Sequence, residues 1–153
     1  MGDIDLCYMT AAEALAKFRA RKLSPVELMK AVIARAEKVQ PKLKPFTYMY
    51  FEEALDLAEK AEAKYMKTGA RLGALEGLPI TIKDESYIEG KPTSGGSLVL
   101  KDTIGQHTTT VNARLLAEGG IVHARTATPE FSCAAYTWSR VWGVTRNPWN
   151  PDF

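Results

Sequence analysis

The apolar residues change their period at Gly77, and that change limits what the chain can become. Before it, apolar positions recur every three or four residues, the mark of amphipathic helices. After it, in Gly77-Leu78-Pro79-Ile80-Thr81-Ile82-Lys83-Asp84, Ile80 and Ile82 alternate with Thr81 and Lys83, which predicts a strand over 78–83 with one apolar face. Pro79 is tolerated in the first residues of a strand, where no ladder donor is needed. Lys83 falls at the strand's end and Asp84 opens the exit loop. A strand-end lysine can be half-buried, so that desolvation favours the neutral amine able to act as a base, or it can be an ordinary lysine reaching solvent.

The first half reads as capped helices. Thr10-Ala11-Ala12-Glu13 has the spacing of a capping box, predicting a short helix with Leu15 and Phe18 inward that ends near Arg21-Lys22. Ser24-Pro25-Val26-Glu27 repeats the start signal, with proline pre-set for the first helical position. Met29, Val32, Ile33 and Ala36 carry that helix to about Val39, and Pro41 and Pro45 are expected to end it. Phe46 to Tyr50 reads as a short strand or an extended link. Phe51, Ala54, Leu55, Ala58, Ala61 and Tyr65 mark a third helix, with Gly69 a plausible C-cap. None of these helices brings polar groups together, so they read as scaffold.

Beyond the strand, Pro92-Thr93-Ser94-Gly95-Gly96-Ser97 offers hydroxyls and amides, either lining a site or forming a turn, and fits neither a P-loop nor a dinucleotide fingerprint. A helix is predicted over Thr108 to Glu118 with Val111, Leu115 and Leu116 on one face, closed by Gly119-Gly120. Ile121 to Ala124 follows as a strand, and strand, helix, strand implies a right-handed parallel unit. His123 in that strand reads as a core or edge histidine. Thr128-Pro129-Glu130-Phe131 predicts a short helix capped by the threonine. Phe131, Tyr136, Trp138, Trp142 and Trp149 make the last stretch the most aromatic, as core or as the wall of an apolar pocket.

At 153 residues, 46% hydrophobic and 25% charged, the chain is large enough for a real core and ordinary for a soluble globular domain. A net charge of +2 with scattered lysines and arginines points away from nucleic-acid and membrane partners. The acidic start at Met1-Gly2-Asp3 lacks a following apolar run, so it is not read as a leader, and Leu6 spoils a myristoylation pattern. Cys7 and Cys133 form no metal-ligand spacing or disulfide framework, which suggests a reducing, cytoplasmic setting. His107 and His123 have no carboxylate at ligand spacing, so no metal is expected.

Five short motifs, in order, carry a resemblance. Gly77-Leu78-Pro79-x-x-x-Lys83-Asp84, Thr93-Ser94-Gly95-Gly96-Ser97, Leu115-Leu116-Ala117-Glu118-Gly119-Gly120-Ile121-Val122, Thr128-x-Glu130-Phe131 and Gly143-x-Thr145-x-Asn147-Pro148-Trp149-Asn150-Pro151 together resemble the amidase signature family, in register over residues 75–153. The resemblance implies an α/β fold: an N-terminal helical arm over 1–74, then over 75–153 the first, incomplete part of an α/β/α sandwich with a mixed sheet. It implies amide hydrolysis by a Ser-Ser-Lys relay without metal or organic cofactor, acting on a small-molecule amide, with Lys83 as the catalytic lysine.

Ser132, Tyr136 and Trp138 are the expected substrate-binding residues. The family's two serines belong to downstream motifs, the first expected a few residues after Pro151, so the chain resembles an amidase cut before its nucleophile loop and is expected to be inactive alone. Ser94, Ser97, Ser132 and Ser139 match neither serine motif. Arg125 and His107 depart from the lysine and aspartate many members carry there. Two alternatives stand beside an amidase: the A subunit of a glutamine-dependent tRNA amidotransferase, and a non-catalytic scaffold or interaction fragment. A homo-oligomer is expected, through an apolar sheet face of Ile80, Ile82, Ile121 and Val122 left short of packing.

Overall fold

The computed structural model describes residues 3–152; Met1 and Gly2, weighed above as part of a leader, and Phe153 lie outside them. A short helix α1 (Asp3–Cys7), not foreseen, precedes α2 (Ala11–Arg19). Thr10 caps α2 by accepting the Glu13 amide at 3.2 Å, while the Glu13 carboxylate pairs forward with Lys17 at 3.1 Å. The chain then turns through Arg21 in the left-handed region, φ 55°. Ser24 opens α3 (Pro25–Leu43), its hydroxyl accepting the Val26 amide at 2.9 Å.

Helix α3 runs past Val39 and through Pro41, beyond the expected stop. A proline so near the end deletes only its own donor and leaves the last turn free to close, which it does with the Lys44 amide on the Gln40 carbonyl at 3.0 Å. The Gln40 side chain then clasps Phe46 from both sides, donating to its carbonyl at 2.8 Å and accepting its amide at 3.1 Å. That clasp starts β1 (Phe46–Met49), so this stretch is a strand and not merely a link. Helix α4 (Phe51–Met66) follows; its C-cap is Lys67, and Gly69 turns the chain just beyond, φ 74°.

Strand β2 (Pro79–Lys83) begins on the proline, one residue later than expected, and ends on the lysine as expected. Helix α5 (Thr110–Ala117) is shorter than predicted and its apolar face is not the buried one. Val111 is 68% exposed and Leu116 is exposed, whereas Asn112 is buried. The Asn112 amide explains the choice of face, donating to Ser86 Oγ at 2.8 Å and the Tyr87 carbonyl at 2.9 Å. Gly119 and Gly120 close the helix onto the Leu116 and Leu115 carbonyls, Gly119 at φ 85°.

Strand β3 (Ile121–Thr126) extends two residues past Ala124 and is the central strand of a sheet ordered β1-β3-β2. β1 runs antiparallel to it, pairing Phe46 with Thr126 and Met49 with Ala124. β2 runs the same way as β3, since the Ile121 amide meets the Leu78 carbonyl at 2.8 Å and the Asp84 amide meets the Thr126 carbonyl at 2.9 Å. The sheet is therefore mixed. After it, Glu130–Ser132 forms a single 3-10 turn in which Phe131 and Ser132 both adopt left-handed angles, φ 51° and 56°. Pro129, not Thr128, occupies the cap position of that turn. A two-residue hairpin, β4 (Trp138–Ser139) with β5 (Gly143–Val144), comes last.

Two compact units are drawn from interleaved stretches: Met1–Glu37, Tyr50–Ile80 and Arg114–His123 in one, Lys38–Met49, Thr81–Ala113 and Ala124–Phe153 in the other. The first holds two apolar clusters. Phe18, Leu15, Leu28 and Tyr65 anchor one; Met29, Ile33, the alanines of α4 and Ile121 form the other. The alanines let α4 approach closely, and each larger side chain buried here contributes roughly 1.5–3 kcal/mol. In the second unit the aromatic tail is not core: Tyr136 is 72% and Trp149 95% exposed, and only Trp142 among the tryptophans is half-buried. Among the described residues no helix is long and apolar enough to cross a membrane.

Candidate active site around Lys83

Lys83 leaves the end of β2 with its Nζ 3.2 Å from Ser132 Oγ and 3.3 Å from the Glu85 carboxylate. Its side chain is 44% exposed, so the solvent-reaching alternative describes it better than a desolvated base. Ser132 Oγ also lies 2.8 Å from Thr128 Oγ1 and donates to Glu85, making a cluster of one amine, one carboxylate and two hydroxyls. The left-handed backbone at Phe131 and Ser132 turns this hydroxyl to the lysine; such angles cost energy in non-glycine residues and persist where neighbours hold them.

Beneath the cluster is a buried polar frame. Asp84, fully buried, accepts the Ser94 amide at 3.0 Å and the Ser94 hydroxyl at 2.5 Å. Ser94 Oγ in turn accepts Trp142 Nε1 at 2.8 Å and the Gly96 amide at 3.1 Å. Tyr48 meets the Trp142 ring edge-on, centroids 5.0 Å apart. Burial pushes the Asp84 carboxyl above its usual range, against the opposing pull of Ser94 and of Arg125. Burial, with Asp84 nearby, likewise raises the Tyr48 hydroxyl. The Ser94 amide and hydroxyl, the Gly96 amide and the Trp142 indole each have an acceptor here, so Ser94 is a locked structural hydroxyl that holds its turn from inside.

The frame also reaches the Lys83 cluster. The Gly95 amide bonds the Asp84 carbonyl at 2.9 Å, and the Phe131 amide bonds the Gly95 carbonyl at 2.9 Å. At Gly96, φ 67°, a Cβ would stand 2.7 Å from the Thr128 carbonyl, so only glycine lets the two loops meet. Of the expected site residues, Lys83 and Ser132 thus lie together. Tyr136 and Trp138 sit on the exposed tail and share no hydrogen bond with them among the described residues. Glu85, Thr128, Asp84 and Trp142 were not singled out from the sequence as a group. Asp84 adjoining Lys83 in the motif was the one available signal; the others come together only through loop geometry.

Comparison with known proteins shows what the chain as a whole is similar to. The Amidase family model matches residues 27–153. The chain is 36% identical over 146 residues to the A subunit of a glutamyl-tRNA(Gln) amidotransferase from Fusobacterium nucleatum, covering 95% of this chain and 30% of that one. It is 37% identical over 143 residues to an Indoleacetamide hydrolase of Bradyrhizobium diazoefficiens, covering 94% and 27%. Among solved structures, a bacterial aryl acylamidase of the amidase signature family superposes with a TM-score of 0.88 at 30% identity, covering 95% and 30%. The chain therefore spans less than a third of the length of each. With its mixed sheet, its lysine-ended strand and a family match over most of its length, the chain belongs to the amidase signature family.

Proposed function

We propose that this chain is the lysine-bearing part of an amide-hydrolysing enzyme, with Lys83 as the base of a Ser-Ser-Lys relay. The observation that carries the reading is the Lys83 amine at the end of β2, within 3.2 Å of a hydroxyl on a braced loop. Ser132 is not one of the proposed relay serines; its contact supports the reading in that the amine at this strand end can reach a hydroxyl, as a proton relay requires. In the proposed reaction neutral Lys83 takes a proton from a bridging serine, which takes one from the nucleophile; an acyl-enzyme forms, and water releases the acid. To serve as that base Lys83 must part from Glu85, whose carboxylate lies 3.3 Å from its amine. The two relay serines and the oxyanion donors are assigned by resemblance to motifs not among these 153 residues, so the chain alone is proposed to be catalytically incomplete.

The test has two arms. The purified chain is expected to give no turnover of benzamide or p-nitroanilide amides above a Lys83→Ala control. Joined in place of the matching 143 residues of the Bradyrhizobium relative, it is expected to support amide hydrolysis that Lys83→Ala lowers by about 10²–10⁴ in kcat, the span of general acid–base steps. Lys83→Arg should fail nearly as badly, because arginine does not give up its proton. Activity retained in the arginine variant would reduce Lys83 to a structural cation.

A second reading, part of an amidotransferase A subunit, is favoured by the 36% identity to that relative. Release of ammonia from glutamine in preference to aryl amides, in a chimaera built on that relative, would select it.

A further inference from the structure

Arg125, like Asp84, is a fully buried ionisable side chain of the second unit. It lies in the central strand β3, fully buried, where a guanidinium costs stability unless its donors are used. They are used on one short stretch of backbone. Nε donates to the Ile82 carbonyl at 3.2 Å, Nη2 to the Lys83 carbonyl at 3.0 Å and the Ser86 carbonyl at 2.5 Å, and Nη1 to the Pro92 carbonyl at 3.4 Å. Nη2 is also 4.0 Å from Asp84 Oδ1. Residues 82, 83 and 86 bracket the point where β2 stops and turns out, and Pro92 opens the turn that holds Ser94.

A planar guanidinium holds several acceptors in fixed directions, whereas an ammonium on a flexible stem does not. Burial of the fork under the end of β2 therefore fixes the carbonyl of Lys83, and with it the direction in which the Lys83 side chain leaves the strand. The same rigid piece continues through the Asp84 carbonyl, the Gly95 amide and carbonyl and the Phe131 amide to Ser132. The strand end and the hydroxyl loop are thus parts of one frame with Arg125 at its centre.

We propose that Arg125 is a positioning residue for Lys83: it sets the register of the strand exit that puts the amine against Ser132. What this contributes to catalysis rests on Lys83 being the relay base; the placement itself does not. The test is competitive acetylation of the full chain with limiting acetyl N-hydroxysuccinimide ester, read by peptide mass spectrometry as Lys83 relative to the exposed Lys30 and Lys60. In the wild type Lys83 is expected to react more slowly than both, and Ser132→Ala shows the ratio once the Ser132 contact is lost and only the Glu85 pair remains.

In Arg125→Lys and Arg125→Met the Lys83 ratio should rise about threefold, the population change that loss of one exposed polar contact brings, while Lys30 and Lys60 keep their rates. A Lys83 ratio unchanged in Arg125→Lys overturns the proposal. So does a joint rise of all three lysines in both variants, which marks general unfolding instead of selective release. The kinetics of Lys83→Ala judge the base assignment separately, so either idea can fail without the other.

Discussion

His123 shows how one residue's surroundings set a response to pH. It is buried in β3 with its ring stacked on Phe51, centroids 6.4 Å apart, and burial lowers its pKa to about 4. The folded state therefore binds this proton less tightly than the unfolded chain does. Its contribution to stability is complete above about pH 6.5 and is lost as pH falls toward 4. At about 1.4 kcal/mol per pH unit, the gap bounds the loss at roughly 3 kcal/mol. Melting temperature is expected to decline from pH 6.5 to 4, and His123→Leu to flatten part of that decline; an equal slope in the variant would remove His123 from acid unfolding. The Asp84 carboxyl works in the opposite sense. Its raised pKa favours the folded state below the ordinary carboxylate range, and that contribution is lost as pH rises through the raised value.

At the scale of elements, helix α5 makes the sharpest case, because its buried face is chosen by an amide and not by its leucines and valine. Asn112→Leu is expected to destabilise the chain by about 1–3 kcal/mol, since it removes two part-buried hydrogen bonds, to Ser86 and to the Tyr87 carbonyl. Chemical denaturation would measure it, and a stabilised variant would refute the account. Elements with local signals were legible in the sequence: the caps at Thr10 and Ser24, the proline-started β2, the glycine stop after α5. Elements decided by distant partners were not. Pro41 in α3 is accommodated by a turn that Gln40 closes, and Thr128 turns its hydroxyl to Ser132 instead of capping. At the site, Lys83 and Ser132 could be named singly, but nothing local announced that Asp84, Ser94 and Trp142 would join into one buried frame, or that Arg125 would lie under it.

For the molecule as a whole, the expected source of self-association is misplaced. Ile82 and Ile121 are buried and Ile80 and Val122 half-buried, so the sheet face thought bare is covered by the chain itself. Apolar exposure lies elsewhere in the second unit, at Val99, Phe131, Tyr136, Trp138 and Trp149. Fully burying one such side chain is worth roughly 1.5–3 kcal/mol, enough for a few together to favour a second copy of the chain. Light scattering after size exclusion is expected to give a mass that grows with concentration in the micromolar range. A mass fixed at that of one chain across that range would refute it.

The left-handed turn at Ser132 sets two kinds of selection against each other. Glycine there would relieve roughly 1–2 kcal/mol of backbone strain, so a library sorted only for heat resistance would drift toward it. The same change deletes the hydroxyl that meets Lys83. Variants chosen for endurance and variants chosen for a held Lys83 amine would therefore part company at this one codon, and the residue each population keeps would record which pressure shaped it.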